Sequence, residues 1–192
     1  MDHIKTGLTP SFQKKLMTTI SISLLTNMLQ LINPFAAKGQ IKKRRTIMFE
    51  DTLPLKMQKD ELESFLVHEF PQVSDEVELV ELTGSHVTMR LLASDKHIRP
   101  GGTLSGPAMF MLADVCFYIA LLSVIGPKAL TVTTSAHISF MRKPSAMALL
   151  AKARRLKLGK RLAVGDVVLF SEDTNLPVAH ASMTYAIPPE KS

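Results

Sequence analysis

The pattern of apolar and polar positions becomes regular from residue 57 onwards, and its first part predicts a helix and a pair of strands. Between Lys59 and Pro71 apolar side chains recur at helical spacing, which predicts a short amphipathic helix carrying Leu62, Phe65, Leu66 and Phe70. Residues 77–82 and 87–92 follow as two strand-like runs, separated by the turn sequence Thr-Gly-Ser. The chain therefore opens its regular part with a helix and a hairpin.

A long apolar stretch over residues 108–125 contains a single charged residue, Asp114. It follows a segment of turn chemistry, residues 99–107, in which Pro107 can occupy the first helical position and Gly106 can cap the helix. A helix that is apolar on nearly every face has to be buried. Because a Gly-Pro pair ends the stretch early and a carboxylate is costly inside a membrane, we expect a helix wrapped by a sheet.

Four further strands are predicted after this helix. Residues 131–141 alternate between apolar and polar side chains, which predicts a strand with one apolar and one polar face. Runs at 148–158, 162–171 and 178–187 add three more strands separated by turns. Consecutive hairpins after a buried helix predict an antiparallel α+β fold.

The formal net charge of +6 is concentrated in the first 56 of the 192 residues. That segment holds nine Lys/Arg and three Asp/Glu, whereas residues 57–192 hold fourteen of each and are neutral. A neutral main domain without a basic, aromatic-rich stripe gives little support to nucleic-acid binding. The single cysteine, Cys116, has no partner for a disulfide, so we expect a reducing compartment, the cytoplasm, and a buried, inert thiol.

The N-terminal extension, residues 1–56, allows several interpretations. Residues 16–37 carry no charge, but Ser, Thr, Asn and Gln interrupt them too often for a good membrane span. Their helical spacing suits an amphipathic helix on a membrane surface or on a partner, and the acid-poor composition also resembles a transit peptide. An upstream start codon is an equally simple explanation, because Met57 opens a self-sufficient domain; we favour this or a loosely attached helix.

Four short motifs resemble those of the PaaI-like acyl-CoA thioesterases, which have the hotdog fold. The sequence Ser-Gly-Pro at 105–107 is followed by six residues and then Asp114, at the family's spacing between its His-Gly-Gly and its acidic residue. Residues 140–144, 158–162 and 178–181 match the end of a strand, a hairpin and the last strand. The likeness covers roughly residues 60–188 and implies an antiparallel sheet around a long central helix.

The resemblance assigns chemistry to four residues. Asp114 would be the general base that activates water, or the nucleophile. The main-chain N–H of Gly106 would hold the oxyanion at the helix N-terminus, with the hydroxyl of Ser105 as a further donor. Thr133 falls at the family's Ser/Thr position, which helps to position the water from the neighbouring subunit. The simplest other roles are a turn glycine for Gly106 and an ordinary strand residue for Thr133.

Substrate binding is expected at the departures from the family pattern and at basic side chains. Arg99 stands where the family has Asn, Pro107 replaces its second Gly, and Ser105 replaces its His. Basic residues at strand ends and hairpins are candidates to hold the phosphates of coenzyme A, principally Arg142, Lys143 and Lys160. The histidines show no metal-ligand spacing, so neither a metal nor a cofactor is expected.

The sequence therefore predicts an acyl-CoA thioesterase that forms homodimers or homotetramers, since hotdog sites are built between subunits and open sheet edges gain by pairing. The alternative is a hotdog protein that binds acyl-CoA or an acyl chain without cleaving it. A third interpretation is an integral membrane protein that spans the bilayer with residues 16–35 and 108–125.

Overall fold

The computed structural model describes residues 52–146, 148–174 and 176–189, so the amphipathic segment predicted between residues 16 and 37 lies outside the described residues. The last residues of the predicted extension are described. The N–H of Leu53 donates to the carbonyl of Gly84 at 2.9 Å, and the N–H of Lys56 donates to the carbonyl of Ser123 at 2.7 Å. Residues 53–56 are therefore hydrogen bonded to the domain that follows them.

The helices and strands that the hydrophobic pattern predicts from residue 57 onwards are all present, in the predicted order. The helices are α1 (Lys59–Glu69), α2 (Pro71–Ser74) and α3 (Gly106–Ile125). The strands are β1 (Val77–Leu82), β2 (His86–Leu91), β3 (Ile98–Arg99), β4 (Thr103–Leu104), β5 (Val132–Phe140), β6 (Leu149–Leu158), β7 (Leu162–Ser171) and β8 (Pro177–Ala186). A 3₁₀ turn, Asp95–His97, precedes β3.

Six strands form one antiparallel sheet in the order β1-β2-β6-β7-β8-β5, and this sheet wraps around α3. The predicted α+β hotdog architecture is thereby confirmed. Strands β6, β7 and β8 alternate buried and exposed side chains along much of their length, because one face of the sheet packs on the helix. The helix thus forms the centre of the core.

By length and composition helix α3 could cross a membrane. However, 78% of its most apolar 18-residue segment is buried inside this domain. Phe117 is fully buried, and a Cβ added at Gly165 of β7 would collide with its ring. A glycine at position 165 therefore allows the helix and the sheet to approach closely. The thiol of Cys116 is also buried, and desolvation raises its pKa to about 12, in agreement with the inert thiol predicted.

Strand β5 departs from the predicted pattern. It lies at the edge of the sheet, and nearly all its side chains are exposed, including Val132 at 50% and Phe140 at 52%. The register shifts between Thr133 and Ser135, which interrupts the simple alternation. The apolar face expected for residues 131–141 is therefore left mostly exposed by the described part of the chain.

The segment before α3 contains a short hairpin that the sequence did not predict. Strands β3 and β4 pair with each other over two residues each. Gly101 and Gly102 join them with φ angles of 96° and 67°, values that side chains other than glycine rarely adopt. This hairpin leads the chain directly into the N-terminus of α3.

Candidate functional site

The carboxylate of Asp114 is held by two hydroxyl groups from the neighbouring strands. Thr133 Oγ1 on β5 donates to Asp114 Oδ1 at 2.7 Å, and the Tyr185 hydroxyl on β8 donates to the same oxygen at 2.6 Å. The Tyr185 hydroxyl also lies 2.9 Å from the main-chain oxygen of Asp114. Asp114 lies on a stripe of α3, with Phe110 and Met111, that the sheet leaves partly uncovered. Its carboxylate is therefore ordered by hydrogen bonds and still open on one side.

A cavity of about 240 Å³ lies beside this carboxylate, and its walls combine aromatic and aliphatic side chains with carboxyl and hydroxyl groups in about equal parts. No basic side chain is among the described residues that line it, so Asp114 is not neutralised there. Glu69, the last residue of α1, also reaches the cavity. The lining residues are Glu69, Phe70, Asp114, Tyr118, Ala129, Thr131, Val132, Thr133 and Tyr185.

Both tyrosines in this cavity are shifted towards their protonated forms. Burial, followed by the charge of Asp114, raises the pKa of Tyr185 far above its ordinary value. Burial, followed by the charge of Glu69, raises the pKa of Tyr118 to about 12. The Tyr118 hydroxyl donates to the carbonyl of Ala129 at 3.0 Å and not to Asp114. At neutral pH, Tyr185 is therefore a permanent hydrogen-bond donor to the carboxylate.

The N-terminus of α3 leaves one main-chain N–H available. Ser105 is the N-cap, and its Oγ accepts from the N–H of Ala108 at 3.3 Å. The N–H of Met109 donates to the carbonyl of Ser105, and Pro107 has no N–H. Among the described residues nothing accepts from the N–H of Gly106, which leaves it free for a ligand. The prediction that Gly106 caps the helix was wrong, because the Ser105 side chain supplies an acceptor.

A second cavity, of about 420 Å³, lies at this helix end and collects four of the predicted residues: Arg99, Gly106, Arg142 and Lys143. Arg99 Nε donates to Thr103 Oγ1 at 3.0 Å, and one terminal nitrogen of Arg142 donates to the carbonyl of Pro177 at 2.8 Å. Each guanidinium has further N–H groups that can bind an anion. Pro107 belongs to the same helix turn but is not among the residues that line the cavity.

Lys160 does not join this group. It lines a separate cavity with Lys56, Lys128 and Arg161, beside Ile125 at the opposite end of α3. Arg155, another basic residue of this hairpin, is turned into the domain, where its guanidinium donates to the carbonyls of Ala120 and Gly84. The sequence analysis grouped Lys160 with Arg142 and Lys143 because all three lie at strand ends or hairpins. In the fold, Lys160 lies at one end of the central helix and the other two at its opposite end.

Asp114 and Gly106 are eight residues apart on one straight helix, which corresponds to about 12 Å along its axis. A single carbonyl group cannot contact both within one chain. Thr133, which we expected to act from the neighbouring subunit, contacts Asp114 of its own chain. Each chain therefore carries two half-sites, one with the acid and its hydroxyl partners, the other with the free N–H and the basic side chains.

Tyr185 is the site residue that the sequence analysis missed. Positions 179, 181, 183 and 185 are all buried, so the alternation of β8 already directed this tyrosine towards the core helix. A buried phenol usually finds a hydrogen-bond partner, and α3 offers a single carboxylate. Among the described residues, no group of three His, Cys, Asp or Glu side chains is placed to hold a metal ion.

An antiparallel sheet wrapped around a long central helix is the architecture of the hotdog thioesterases. Residues 101–178 match the family described as the Thioesterase superfamily. A search of curated proteins found no match.

Three solved structures illustrate the likeness. A candidate thioesterase from Silicibacter sp. TM1040 is 49% identical, with a TM-score of 0.68, and the match covers 72% of this chain and 97% of that one. Zebra fish thioesterase superfamily member 2 is 22% identical with a TM-score of 0.60, covering 71% and 99% of the two chains. A mutant of the phenylacetic acid degradation protein PaaI from Thermus thermophilus is 22% identical with a TM-score of 0.54, covering 62% and 99%. The chain belongs to the thioesterase superfamily, which supports thioester hydrolysis as its class of activity.

Proposed function

We propose that this protein hydrolyses acyl-CoA thioesters to a free acid and coenzyme A. The observation that carries the proposal is the Asp114 carboxylate, which is ordered by two hydroxyl donors beside a cavity that no basic side chain of the described residues lines. Because no cation among these lining residues pairs with the carboxylate, the carboxylate is available to accept a proton or to attack a carbonyl carbon. Carboxylates in clefts of this kind serve as general bases and nucleophiles.

In the simplest version of the reaction, Asp114 acts as a general base. A water molecule attacks the thioester carbonyl carbon and gives a proton to the carboxylate, and the carbonyl oxygen becomes an oxyanion. The N–H of Gly106 stabilises that charge. When the intermediate collapses, the C–S bond breaks and the leaving thiolate takes the proton from Asp114. Direct attack by the carboxylate would instead break the C–S bond, release the coenzyme A thiolate and leave a mixed anhydride on Asp114. Water would then hydrolyse the anhydride to the free acid and protonated Asp114, which would give its proton to the thiolate.

The two cavities suit the two parts of the substrate. The cavity beside Asp114 holds aromatic rings and no basic side chain among the described residues that line it, so it suits the acyl group better than the phosphates. The cavity beside Gly106 brings together Arg99, Arg142 and Lys143, whose charges favour the phosphates of coenzyme A. The thioester carbonyl would lie between them. Lys160 is too far along the helix to join the same phosphates, and we exclude it from this proposal.

We propose that the complete site forms between two copies of the chain. The distance of about 12 Å along α3 prevents one chain from supplying both Asp114 and Gly106 to the same carbonyl. Strand β5, whose outer edge pairs with no other described strand, and an apolar stripe on the helix, with Phe110 38% exposed, are surfaces that a second copy would cover. Pairing across a two-fold axis would bring Asp114 of one subunit towards Gly106 of the partner subunit. We also propose a cytoplasmic location, because Cys116 is the single cysteine of the sequence and its buried thiol has no partner for a disulfide.

The test is hydrolysis of a panel of acyl-CoA substrates by the wild type and by Asp114→Asn. We expect wild-type turnover and a loss of roughly 10²–10⁴-fold in kcat for the variant, the usual contribution of a general base. The fold should persist, because the amide oxygen of Asn can accept the same bonds from Thr133 and Tyr185. Asp173→Asn makes the same chemical change in an exposed turn and should leave activity and thermal unfolding unaltered.

Two results would contradict the proposal. A wild type that is inactive on every acyl-CoA would refute hydrolysis, and tight binding of acyl-CoA without turnover would support the non-catalytic binding protein instead. An Asp114→Asn variant as active as the wild type would refute the role of the carboxylate even if hydrolysis is observed.

A further inference from the structure

We infer that Tyr185 is a positioning residue for Asp114: with Thr133 it fixes one carboxylate oxygen, Oδ1, and leaves the other, Oδ2, as the oxygen that reacts. The inference rests on the proposed function, in which this carboxylate acts on the thioester. Three distances support it: Tyr185 OH to Oδ1 at 2.6 Å, Thr133 Oγ1 to Oδ1 at 2.7 Å, and Tyr185 OH to the main-chain oxygen of Asp114 at 2.9 Å.

The two oxygens of Asp114 are used unequally. A carboxylate oxygen has two lone pairs, and Oδ1 already accepts from two hydroxyl groups. Among the described residues no donor is bonded to Oδ2. The oxygen with free lone pairs is the one that can take a proton from water or attack a carbonyl carbon. The hydrogen bonds therefore select which atom reacts.

Tyr185 is the more rigid of the two donors. Its side chain is 2% exposed, and its ring lies 5.3 Å from Phe117 in an edge-on arrangement and 6.5 Å from Tyr118 in a stacked one. Thr133, in contrast, lies on the exposed edge strand next to a bulge. Because the phenol is close to both the side chain and the main chain of Asp114, it restrains the carboxylate relative to the helix that carries it.

The first experiment compares pH–rate profiles of the wild type and Tyr185→Phe. The variant keeps the packed ring and removes only the donor, so we expect kcat to fall roughly tenfold to a hundredfold while KM changes little. Loss of a bond to the charged carboxylate should also move the acidic limb of kcat/KM to higher pH. Tyr118→Phe removes the same atom from the adjacent ring, and since that hydroxyl bonds Ala129, the acidic limb should not move.

The second experiment changes the donor strength without removing the hydroxyl. The chain has two tyrosines, so in a Tyr118→Phe background 3-fluorotyrosine enters the chain only at position 185. Fluorination makes the phenol a stronger donor, and the acidic limb should then move to lower pH than in the unlabelled Tyr118→Phe protein. This arm remains decisive if Tyr185→Phe does not fold.

The outcomes separate this inference from the proposed function. If the wild type hydrolyses acyl-CoA and Asp114→Asn does not, but Tyr185→Phe retains its kcat and its pH profile, the proposed function stands and the positioning role is refuted. A lower kcat with an unmoved acidic limb in both experiments would show a purely structural tyrosine and would also refute it. Opposite movements of the limb in the two experiments would support it.

Discussion

At the residue scale, Ser105 has a structural role as the N-cap of α3, beside which its predicted donation to the oxyanion stays a prediction. Its Oγ accepts from the N–H of Ala108, and it is not among the residues that line the cavity beside Gly106. Ser105→Ala should therefore lower the free energy of unfolding by about 1 kcal/mol, whereas Ser105→Gly should cost only a few tenths, because glycine is tolerated at the N-cap. Chemical denaturation measures both values.

The activity of the same two variants tests the alternative role. Both lack the hydroxyl, so a cap without catalytic function predicts that Ser105→Gly keeps a kcat near that of the wild type on its best acyl-CoA. If Ser105→Gly is as stable as expected but its kcat falls tenfold or more, the hydroxyl donates to the substrate and this interpretation is wrong.

Asp114 stood out in the sequence, whereas the sequence indicated only that Tyr185 is buried against α3 and not that it meets this carboxylate. A single carboxylate in a long apolar stretch stands out, because burying a charge is costly unless it has partners or a function. Its partners come from β5 and β8, 19 and 71 positions away along the chain. Such pairs depend on the order of strands in the sheet, which the hydrophobic alternation does not specify. The same reason explains why Lys160 was grouped with Arg142 and Lys143.

At the element scale, strand prediction succeeded where one face of the strand is covered. The bounds of β6, β7 and β8 agree with the predicted runs to within one residue, since their inward positions pack on α3. For β5 the alternation was present in the sequence, but the strand lies at the sheet edge and its apolar side chains stay exposed. The alternation of β5 therefore marks an apolar surface that the described residues leave exposed.

The end of helix α1 places an acidic residue where it is unfavourable for stability. Glu69 lies in the last turn, where the helix dipole disfavours negative charge, and among the described residues no basic side chain pairs with it. It lines the cavity proposed for the acyl group, together with Asp114. A second negative charge there would disfavour acyl groups that carry a carboxylate of their own.

Glu69→Gln should therefore change selectivity between charged and neutral acyl groups. We expect kcat/KM for succinyl-CoA relative to butyryl-CoA to rise by up to about fivefold, which corresponds to roughly 1 kcal/mol for one charge pair in a solvated cavity. Melting temperature should stay the same or rise slightly, because the unfavourable dipole interaction is removed. Glu63→Gln makes the same change elsewhere on α1, outside the cavity, and should leave the ratio unaltered; an equal ratio in Glu69→Gln would show that Glu69 does not contact the acyl group.

At the scale of the whole molecule, pairing with a second copy of the chain would explain two features. These are the exposed surfaces on β5 and α3, and the separation of Asp114 from the free N–H of Gly106. The edge strand β5 carries Thr133, and the uncovered stripe of α3 carries Asp114 and Phe110. The acid half-site thus lies on the surfaces that a second copy would cover, and the donor it lacks lies about 12 Å away on the same helix. A two-fold axis would bring each acid towards the donor of the other chain.

Complementation between two inactive variants tests this arrangement directly. Gly106→Pro removes the free N–H at the start of α3, and proline is tolerated there because the position is the first of the helix and Ser105 has extended backbone angles, φ −80° and ψ 156°. Asp114→Asn removes the acid.

In a heterodimer of the two variants, one site combines both defects, while the other combines the intact acid of the Gly106→Pro chain with the intact N–H of the Asp114→Asn chain. With different affinity tags on the two chains, the purified heterodimer should therefore recover about half of the wild-type kcat, although each homodimer is inactive. If every site lay within one chain, both sites of the heterodimer would be defective, so an inactive but correctly assembled heterodimer would refute the shared site and leave the fold unaffected.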